Sequence, residues 1–490
     1  MAFVEHSGKQ IIPLWIGGAS RPLEPSRFLE VVNARDSKVV HYAQGADATD
    51  AQAAVDAAAE AFKTWRYTRH NERRETLLKA AAIMDEKSEE LAAAQVLETS
   101  CTWGYARFMP VLASGVLREI AGNITTALTG TLPPMDVEGY GLVMKEPIGP
   151  VLCIPPWNSP AVLGGRGIAS ALAAGCTVVL KASEVCPWTY RILVDIFEQA
   201  GLPKGCLNQV QCGREQAAAV TEALISHRDI RKIEFIGSAA VGSMIAQTAA
   251  KHLKPIWLEL GGKGPAIVLQ DAHLSRAAKL CAFGAFLHHG QICFSTERII
   301  VVQSVADKFC RILKEEVDAH YTGEAGAAAL KSGADNAHTM IESAVQNGAK
   351  LLAGDNTWLD DGHTSLRPTI ITGVSRDDKI RDHETFGPSA SLYVVDGEDE
   401  AISLANDSAY GLNATVWTSD TMKALDLSRK FEYGQVHVNT TTVNDPATVP
   451  VSGVKGSGWG DNNAAYGISE FLVNKTVTLH RADEPIAFGR

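Results

Sequence analysis

The feature that most constrains this chain is an alternation between residues 150 and 260, where short runs rich in Val, Ile and Leu are followed by longer stretches with helical spacing. The runs 150–155, 177–181, 207–211 and 232–236 have the length and β-branched content of buried strands. The stretches 164–174, 190–200 and 215–226 are predicted helices, and Gly201-Leu202-Pro203 is a stop signal after the second. Strands joined by helical crossovers pair in parallel, so the pattern predicts an α/β fold. The run 232–236 leads straight into Gly237-Ser238 and a helix beginning near Ala239. A strand, a glycine turn and a helix N-terminus gather unpaired N–H groups and the positive helix end, a seat for the pyrophosphate of a dinucleotide.

A second alternating unit begins near residue 265, with predicted strands at 266–269, 299–302, 391–395 and 415–418 and helices at 275–286, 306–317 and 338–348. It runs to about 449 and is the expected catalytic region. Ahead of both units, 51–62 and 75–96 carry Ala- and Glu-rich helical periodicity. At 490 residues the chain exceeds what one core usually serves, so two large domains are expected. The stretch 471–479 alternates as a strand does, and a terminal strand needs a neighbour, here a candidate partner chain.

Charge and cysteine usage narrow the partners. With 45 Lys plus Arg against 56 Asp plus Glu, the net charge is −11, and no basic run is interleaved with aromatics. Nucleic acid and anionic membranes are poor partners for such a surface. The first ten residues lack an apolar signal core, and the apolar segments are interrupted before membrane-spanning length. Nine cysteines form no Cys-x-x-Cys pair, which fits a reducing, cytoplasmic setting and no structural metal.

Cys293 lies in Gly290-Gln291-Ile292-Cys293-Phe294-Ser295-Thr296-Glu297-Arg298, Glu259 in Leu258-Glu259-Leu260-Gly261-Gly262-Lys263, and Asn158 in Pro156-Trp157-Asn158-Ser159-Pro160. A soft nucleophile, a carboxylate and an amide donor are the parts needed to oxidise an aldehyde through a covalent thioester.

These stretches, with Lys181-Ala182-Ser183-Glu184, Phe235-Ile236-Gly237-Ser238 followed by Val241-Gly242, and Glu384-Thr385-Phe386-Gly387-Pro388, resemble the NAD(P)-dependent aldehyde dehydrogenase superfamily from about residue 15 to 485. Arg166, the segment 293–298 and Thr440-Thr441-Thr442-Val443-Asn444-Asp445 look most like the salicylaldehyde, vanillin and benzaldehyde branch. The resemblance implies a Rossmann-like cofactor domain (1–120 and 146–258), an α/β catalytic domain (259–460), and a small β oligomerisation arm and tail (121–145 and 461–490). A protruding hairpin within 121–145 and the tail strand would build a homodimer or homotetramer.

For the chemistry, the resemblance implies Cys293 as nucleophile, Asn158 as oxyanion donor and Glu259 as the base for thioester hydrolysis, acting directly or after a rotation. Pro156, Trp157, Lys181, Glu184, Gly237, Ser238, Val241, Glu384 and Phe386 would hold the cofactor, with Lys181 and Glu184 on the adenosine ribose. A carboxylate there repels a 2′-phosphate, so NAD is expected ahead of NADP. Leu163, Phe294, Val451 and Arg166 are expected at the substrate, although Arg166 is equally placed to brace Glu259 or another internal acid. Two positions depart from the family pattern: Val451 replaces an aromatic near the tunnel, and Ala182 stands where proline is common. An aromatic aldehyde is the expected substrate. Aliphatic or broad-range oxidation, CoA acylation and a non-enzymatic binding role are the alternatives, and the presence of both Cys293 and Glu259 argues against the last two.

Overall fold

The computed structural model describes residues 4–136, 138–323 and 326–482. Residues 1–3 and 483–490, which the sequence reading assigns to the cofactor part and the tail, lie outside the described residues. An eight-stranded sheet is ordered Gly458–Trp459, Ile256–Glu259, Lys232–Ile236, Val151–Ile154, Val178–Lys181, Leu207–Val210, Trp15–Ile16, Ala19–Ser20. Its five central strands are parallel and its outer pairings antiparallel. The chain starts the parallel core at Val151–Ile154, builds through Val178–Lys181 to Leu207–Val210, then crosses back to the other side with Lys232–Ile236 and Ile256–Glu259. The order thus reverses between Val151–Ile154 and Lys232–Ile236. Open α/β sheets bind ligands beyond the C-terminal ends of strands at such a reversal.

The second sheet has seven strands, in the order Lys350–Ala353, Thr369–Thr372, Ser389–Val395, Thr296–Val302, Gly264–Val268, Asn413–Trp417, Gln435–Val438. All its pairings are parallel except the first. Residues 260–263 carry the chain from the C-terminal end of Ile256–Glu259 to the N-terminal end of Gly264–Val268. The two sheets therefore meet with opposite strand ends facing one another.

The helix Pro160–Ala174 is buried along its whole length, which its Gly and Ala content permits by letting neighbours approach closely. It packs on the helix Trp103–Ala127, which buries Tyr105, Met109, Ala113, Leu117, Ile120 and Ile124 at helical spacing. This long helix occupies the start of the stretch 121–145 expected to form a hairpin. Strand begins only at Tyr140, and Tyr140–Pro147 pairs along its whole length with Leu472–Leu479 of the same chain. Among the described residues of 121–145 the hairpin is reduced to one bridge between Thr131 and Val143. The predicted helix 75–96 is two helices, His70–Glu86 and Ser88–Thr99, broken at Lys87.

Candidate active site

Three strand ends deliver the central groups. Val151–Ile154 runs into the turn carrying Asn158, and Ile256–Glu259 ends on Glu259. Cys293 lies between the short helical turn Leu287–Gly290 and the strand Thr296–Val302. His288 and His289 in that turn have φ of 52° and 59°. Left-handed backbone costs a non-glycine residue about 1–2 kcal/mol, so the turn is held by its surroundings. The Gly261-Gly262 crossover allows close approach, because a β-carbon at Gly262 would lie 2.4 Å from the Cys293 carbonyl oxygen and one at Gly261 would lie 2.4 Å from Glu384 Oε2.

The Cys293 Sγ is 3.5 Å from Glu259 Oε1. Glu259 Oε2 accepts from Arg166 Nη2 at 2.6 Å, and Arg166 Nη1 donates to Asp445 Oδ2 at 2.8 Å. Asp445 Oδ1 accepts in turn from Asn463 Nδ2 at 2.9 Å. Of the two roles the sequence left open for Arg166, the contacts are those of the brace: its guanidinium is fully buried across two carboxylates. Burial opposes that charge, but Glu259 and Asp445 outweigh it and hold the guanidinium above its ordinary pKa. Burial raises Glu259, against the pull of Arg166. Burial, then Glu259 and Glu384, push the Cys293 thiol well above the usual thiol range. The resting sulfur is therefore a thiol, and Glu259 Oε1 stands where it can take the proton.

Asn158 is buried, and its Nδ2 donates to the Gln291 carbonyl at 2.9 Å, two residues before the thiol. Gln291 is pinned by bonds from Nε2 to the carbonyls of His288 and Ala327 and by the Ala329 N–H on Oε1. The Tyr105 hydroxyl is 3.2 Å from the Asn158 carbonyl and 2.5 Å from Ser159 Oγ, while its ring stacks on His288 at 4.1 Å. Tyr105 thus ties the amide turn to the thiol turn.

These groups floor a cavity of about 790 Å³ that Phe108, Leu163, Phe283, Phe294 and Val443 help wall. Among the expected substrate residues, Leu163, Phe294 and Arg166 line it. Val451 does not. It is 1% exposed, pairs with Asn462 and packs into the core, so its small side chain does not open the cavity wall as the sequence led one to expect.

Along the C-terminal edge of the eight-stranded sheet lie Pro156 and Trp157, Lys181 and Glu184, and Gly237 and Ser238. Ser238 caps the helix Ala239–Lys251, its Oγ accepting from Val241 N at 3.4 Å, and Val241 is exposed on the first turn. Glu184 Oε1 lies 3.6 Å from Arg214 Nε. The Trp157 and Phe386 rings meet edge to face at 5.8 Å. The Gly262 N–H donates to Glu384 Oε1 at 3.0 Å. Burial and then the charge of Glu297 push the Glu384 carboxyl up to about 8, with Gly262 and Lys263 opposing. Behind it, the buried Glu297 accepts from the N–H groups of Thr385 and Phe386 and pairs with Lys263, which also donates to Thr385 Oγ1 at 3.1 Å. A helix N-terminus for a pyrophosphate, carboxylates for ribose hydroxyls and two aromatic faces fit a nicotinamide dinucleotide.

Asp445, Tyr105, Lys263, Glu297 and Asn463 carry no role legible in the sequence. Lys263, Glu297 and Asp445 stand inside quoted motifs, whereas Tyr105 has only helical spacing to mark it.

Fold and site define a class, the nicotinamide-dependent dehydrogenases that work through a cysteine thiol. Within that class the chain belongs to the aldehyde dehydrogenase family, whose profile matches residues 22–477. It is 39% identical to a vanillin dehydrogenase of Pseudomonas fluorescens over 96% of this chain and 98% of the relative. It is 38% identical to a salicylaldehyde dehydrogenase of Pseudomonas sp. (strain C18) over 97% of this chain and 99% of the relative. The crystal structure of a salicylaldehyde dehydrogenase from Pseudomonas putida G7 complexed with salicylaldehyde superposes with a TM-score of 0.94 at 36% identity, covering 98% of this chain and 100% of that one. The protein is thus an NAD(P)-dependent aldehyde dehydrogenase of α/β fold acting on a small aldehyde. Among the described residues, no helix is long and apolar enough to cross a membrane.

Proposed function

We propose that the chain oxidises an aromatic aldehyde to its carboxylic acid with NAD, through a thiohemiacetal and then a thioester on Cys293. The observation that carries this reading is the pairing of Cys293 Sγ with Glu259 Oε1 at 3.5 Å on the floor of the apolar cavity. Glu259 takes the thiol proton as the sulfur adds to the carbonyl carbon. The resulting alkoxide is met by the Asn158 amide and the Cys293 N–H, and a donor of this kind contributes about 3 kcal/mol to the transition state. Bound NAD supplies the hydride acceptor. Once it has released the thiol proton, Glu259 deprotonates the water that cleaves the thioester, and that proton returns to Sγ.

Arg166 is a positioning residue that aims the Glu259 carboxylate. Glu384 is read as the partner of the nicotinamide ribose, Phe386 and Trp157 as packing beside the ring, and Lys181 and Glu184 as holding the adenosine ribose. Gly237, Ser238 and Val241 form the pyrophosphate seat, and Leu163 and Phe294 wall the substrate. An aromatic substrate is supported by the phenylalanine-lined walls and by the likeness to vanillin and salicylaldehyde dehydrogenases. NAD is favoured by the Glu184 carboxylate, although its pairing with Arg214 softens the repulsion of a 2′-phosphate.

We further infer the domain division 1–120 with 146–258 for the cofactor, 259–460 for catalysis, and 121–145 with 461–490 as arm and tail. A homodimer or homotetramer is supported by the two-stranded ribbon, which exposes Tyr140, Met144, Val473 and Leu479 and would be marginal alone. Nine free cysteines support a cytoplasmic site.

The test is initial-rate NADH formation with benzaldehyde, salicylaldehyde, vanillin, and a short and a long aliphatic aldehyde, with NAD and then NADP. Aromatic preference is expected, with a loss on the order of 10³-fold or more in Cys293→Ala. Aliphatic preference would overturn the substrate class. Full activity of Cys293→Ala would overturn the mechanism.

A further inference from the structure

Behind the catalytic floor, the strand Lys232–Ile236 carries a carboxyl that the proposed reaction does not use. Glu234 is 2% exposed, and neither of its oxygens accepts from an N–H or O–H among the described residues, the weak donor facing it being the Cys153 thiol. Leaving a polar group buried and unpaired is costly, and such a group calls for a functional account.

Its position supplies one. In parallel pairing, Glu234 stands opposite Cys153 on one side and Trp257 on the other, and Ile236 stands opposite Glu259. Paired residues point to the same face and alternate residues share it, so Lys232, Glu234 and Glu259 lie on one face of the sheet. Glu234 and Glu259 are diagonal neighbours, about 7–8 Å apart. The helix Pro160–Ala174 covers this face, and a β-carbon at Gly167 would lie 2.2 Å from Glu234 Oε1. Arg166, the residue before Gly167, is the one that grips Glu259.

Charge reinforces the placement. Arg166 feels three carboxyls, Glu259, Asp445 and Glu234. Two of these, Glu259 and Glu234, are buried and share the one guanidinium with the half-buried Asp445, a placement that favours a proton on one of the two. The groups facing Glu234 are the Cys153 thiol on one neighbouring strand, Glu259 on the other, Arg166 on the covering helix, Tyr190 on the helix Pro187–Gln199 and Lys232 on its own strand. Burial, with Glu259 adding to it and Cys153, Arg166 and Lys232 opposing, brings its carboxyl to about 7. Toward the surface, Lys232 donates to the Glu470 carbonyl and carboxylate, and both residues line an open hollow with Asp461.

We propose that Glu234 is the proton relay that opens the hydrolytic half-reaction, taking from Glu259 the proton it received from the thiol and passing it toward solvent beside Lys232 and Glu470. This rests on the reading of Glu259 as the base. The water O–H bond breaks, its oxygen bonds to the acyl carbon, and the C–S bond breaks with its electron pair on Sγ. The thiol proton travels from Glu259 to Glu234 and out before the water attacks, and the water's proton then passes by way of Glu259 to Sγ, which restores the thiol. No electrons change hands in this half, and the product leaves as the carboxylic acid. A water between the carboxyls would have Arg166 Nε and the Glu234 oxygens, without partners among the described residues, to hold it.

The experiment compares the rapid-mixing burst of NADH with steady-state kcat from pH 6 to 9, on benzaldehyde, for the parent enzyme, Glu234→Gln, Glu234→Asp and Glu259→Gln. Direct acid–base groups contribute about 10²–10⁴-fold, and a relay one step removed is expected to lower kcat by about tenfold while the burst rate stays at the parental value. The fall of kcat below about pH 7, where Glu234 can no longer accept a proton, should disappear in Glu234→Gln. Glu234→Asp, which keeps the acid, should lose less, and it carries the same burst-against-kcat test if the Gln variant is unstable. Unchanged kcat and pH profile, or equal losses in burst and kcat, would overturn the relay. If Glu259→Gln leaves the post-burst rate intact, the base reading itself fails and the relay falls with it. A slowed Glu259→Gln beside a parental Glu234→Gln removes the relay alone.

Discussion

The two parallel sheets meet at the active site with opposite strand ends, and the two rims are built differently. On the rim of the eight-stranded sheet, Ser238 and Val241 are exposed and Glu184 has a single ion pair at 3.6 Å. On the rim of the seven-stranded sheet, Lys263, Glu297 and Thr385 are each at most 2% exposed and bonded to one another. The difference matches the demands on each side. A large cofactor that arrives and leaves needs accessible polar groups, whereas a thiol attacking a carbonyl needs its loop held to a fraction of an ångström.

The contrast breaks most severely at the buried hub. Glu297→Gln leaves Lys263 charged and unpaired, and removing one partner of such a pair costs about 3–5 kcal/mol. A marked drop in melting temperature is expected, with weakened NAD binding because Thr385 and Phe386 lose their anchor. A melting temperature equal to the parent's would remove the distinction between the rims.

Glu384 sharpens the comparison, since it projects from the rigid rim toward the proposed cofactor side. Its carboxyl is raised to about 8, so at neutral pH it is largely protonated without cofactor. Accepting ribose hydroxyls favours the carboxylate, so NAD affinity should rise with pH up to about 8 and then level, by at most about tenfold per pH unit. Fluorescence titration should show this slope, and Glu384→Gln should flatten it. For stability the sign is opposite: the folded protein holds a proton that the unfolded chain releases above 4.5, so this contribution falls as pH rises from there to about 8.

The smallest effect belongs to the open rim. Glu184→Gln removes a charge worth about 1 kcal/mol against a nearby phosphate and frees Arg214, so the ratio of NADP to NAD activity should rise about fivefold. Steady-state kinetics with both cofactors reads it, and an unchanged ratio would place the discrimination elsewhere.

Local signals made part of this architecture legible. The strand Lys232–Ile236 and the helix from Ala239 lie where β-branched residues, a glycine turn and a serine cap point. The helix Trp103–Ala127 was not legible, because Pro110 and three glycines interrupt its pattern while tertiary burial holds it together. In the site, Cys293, Glu259 and Asn158 stood out by motif, and the structure brings all three to one cavity. Arg166 was ambiguous because a long cation reaches either substrate or an internal acid. Its acid, Asp445, is 279 residues away. Val451 was misjudged for the same reason, since a residue's place relative to a cavity depends on which elements pack around it.

The amino-acid sequence alone determined the alternating α/β texture, the strand, glycine turn and capped helix at 232–251, and the motifs that carry Cys293, Glu259 and Asn158, because these are written in residue types at short spacing. Tertiary structure decided that Arg166 joins Glu259 to Asp445, that Glu297 anchors the Glu384 loop, and that Glu234 lies behind Glu259 with no N–H or O–H donor among the described residues. Those facts depend on strand order, register and helix packing, which bring together charges hundreds of residues apart and remove them from water.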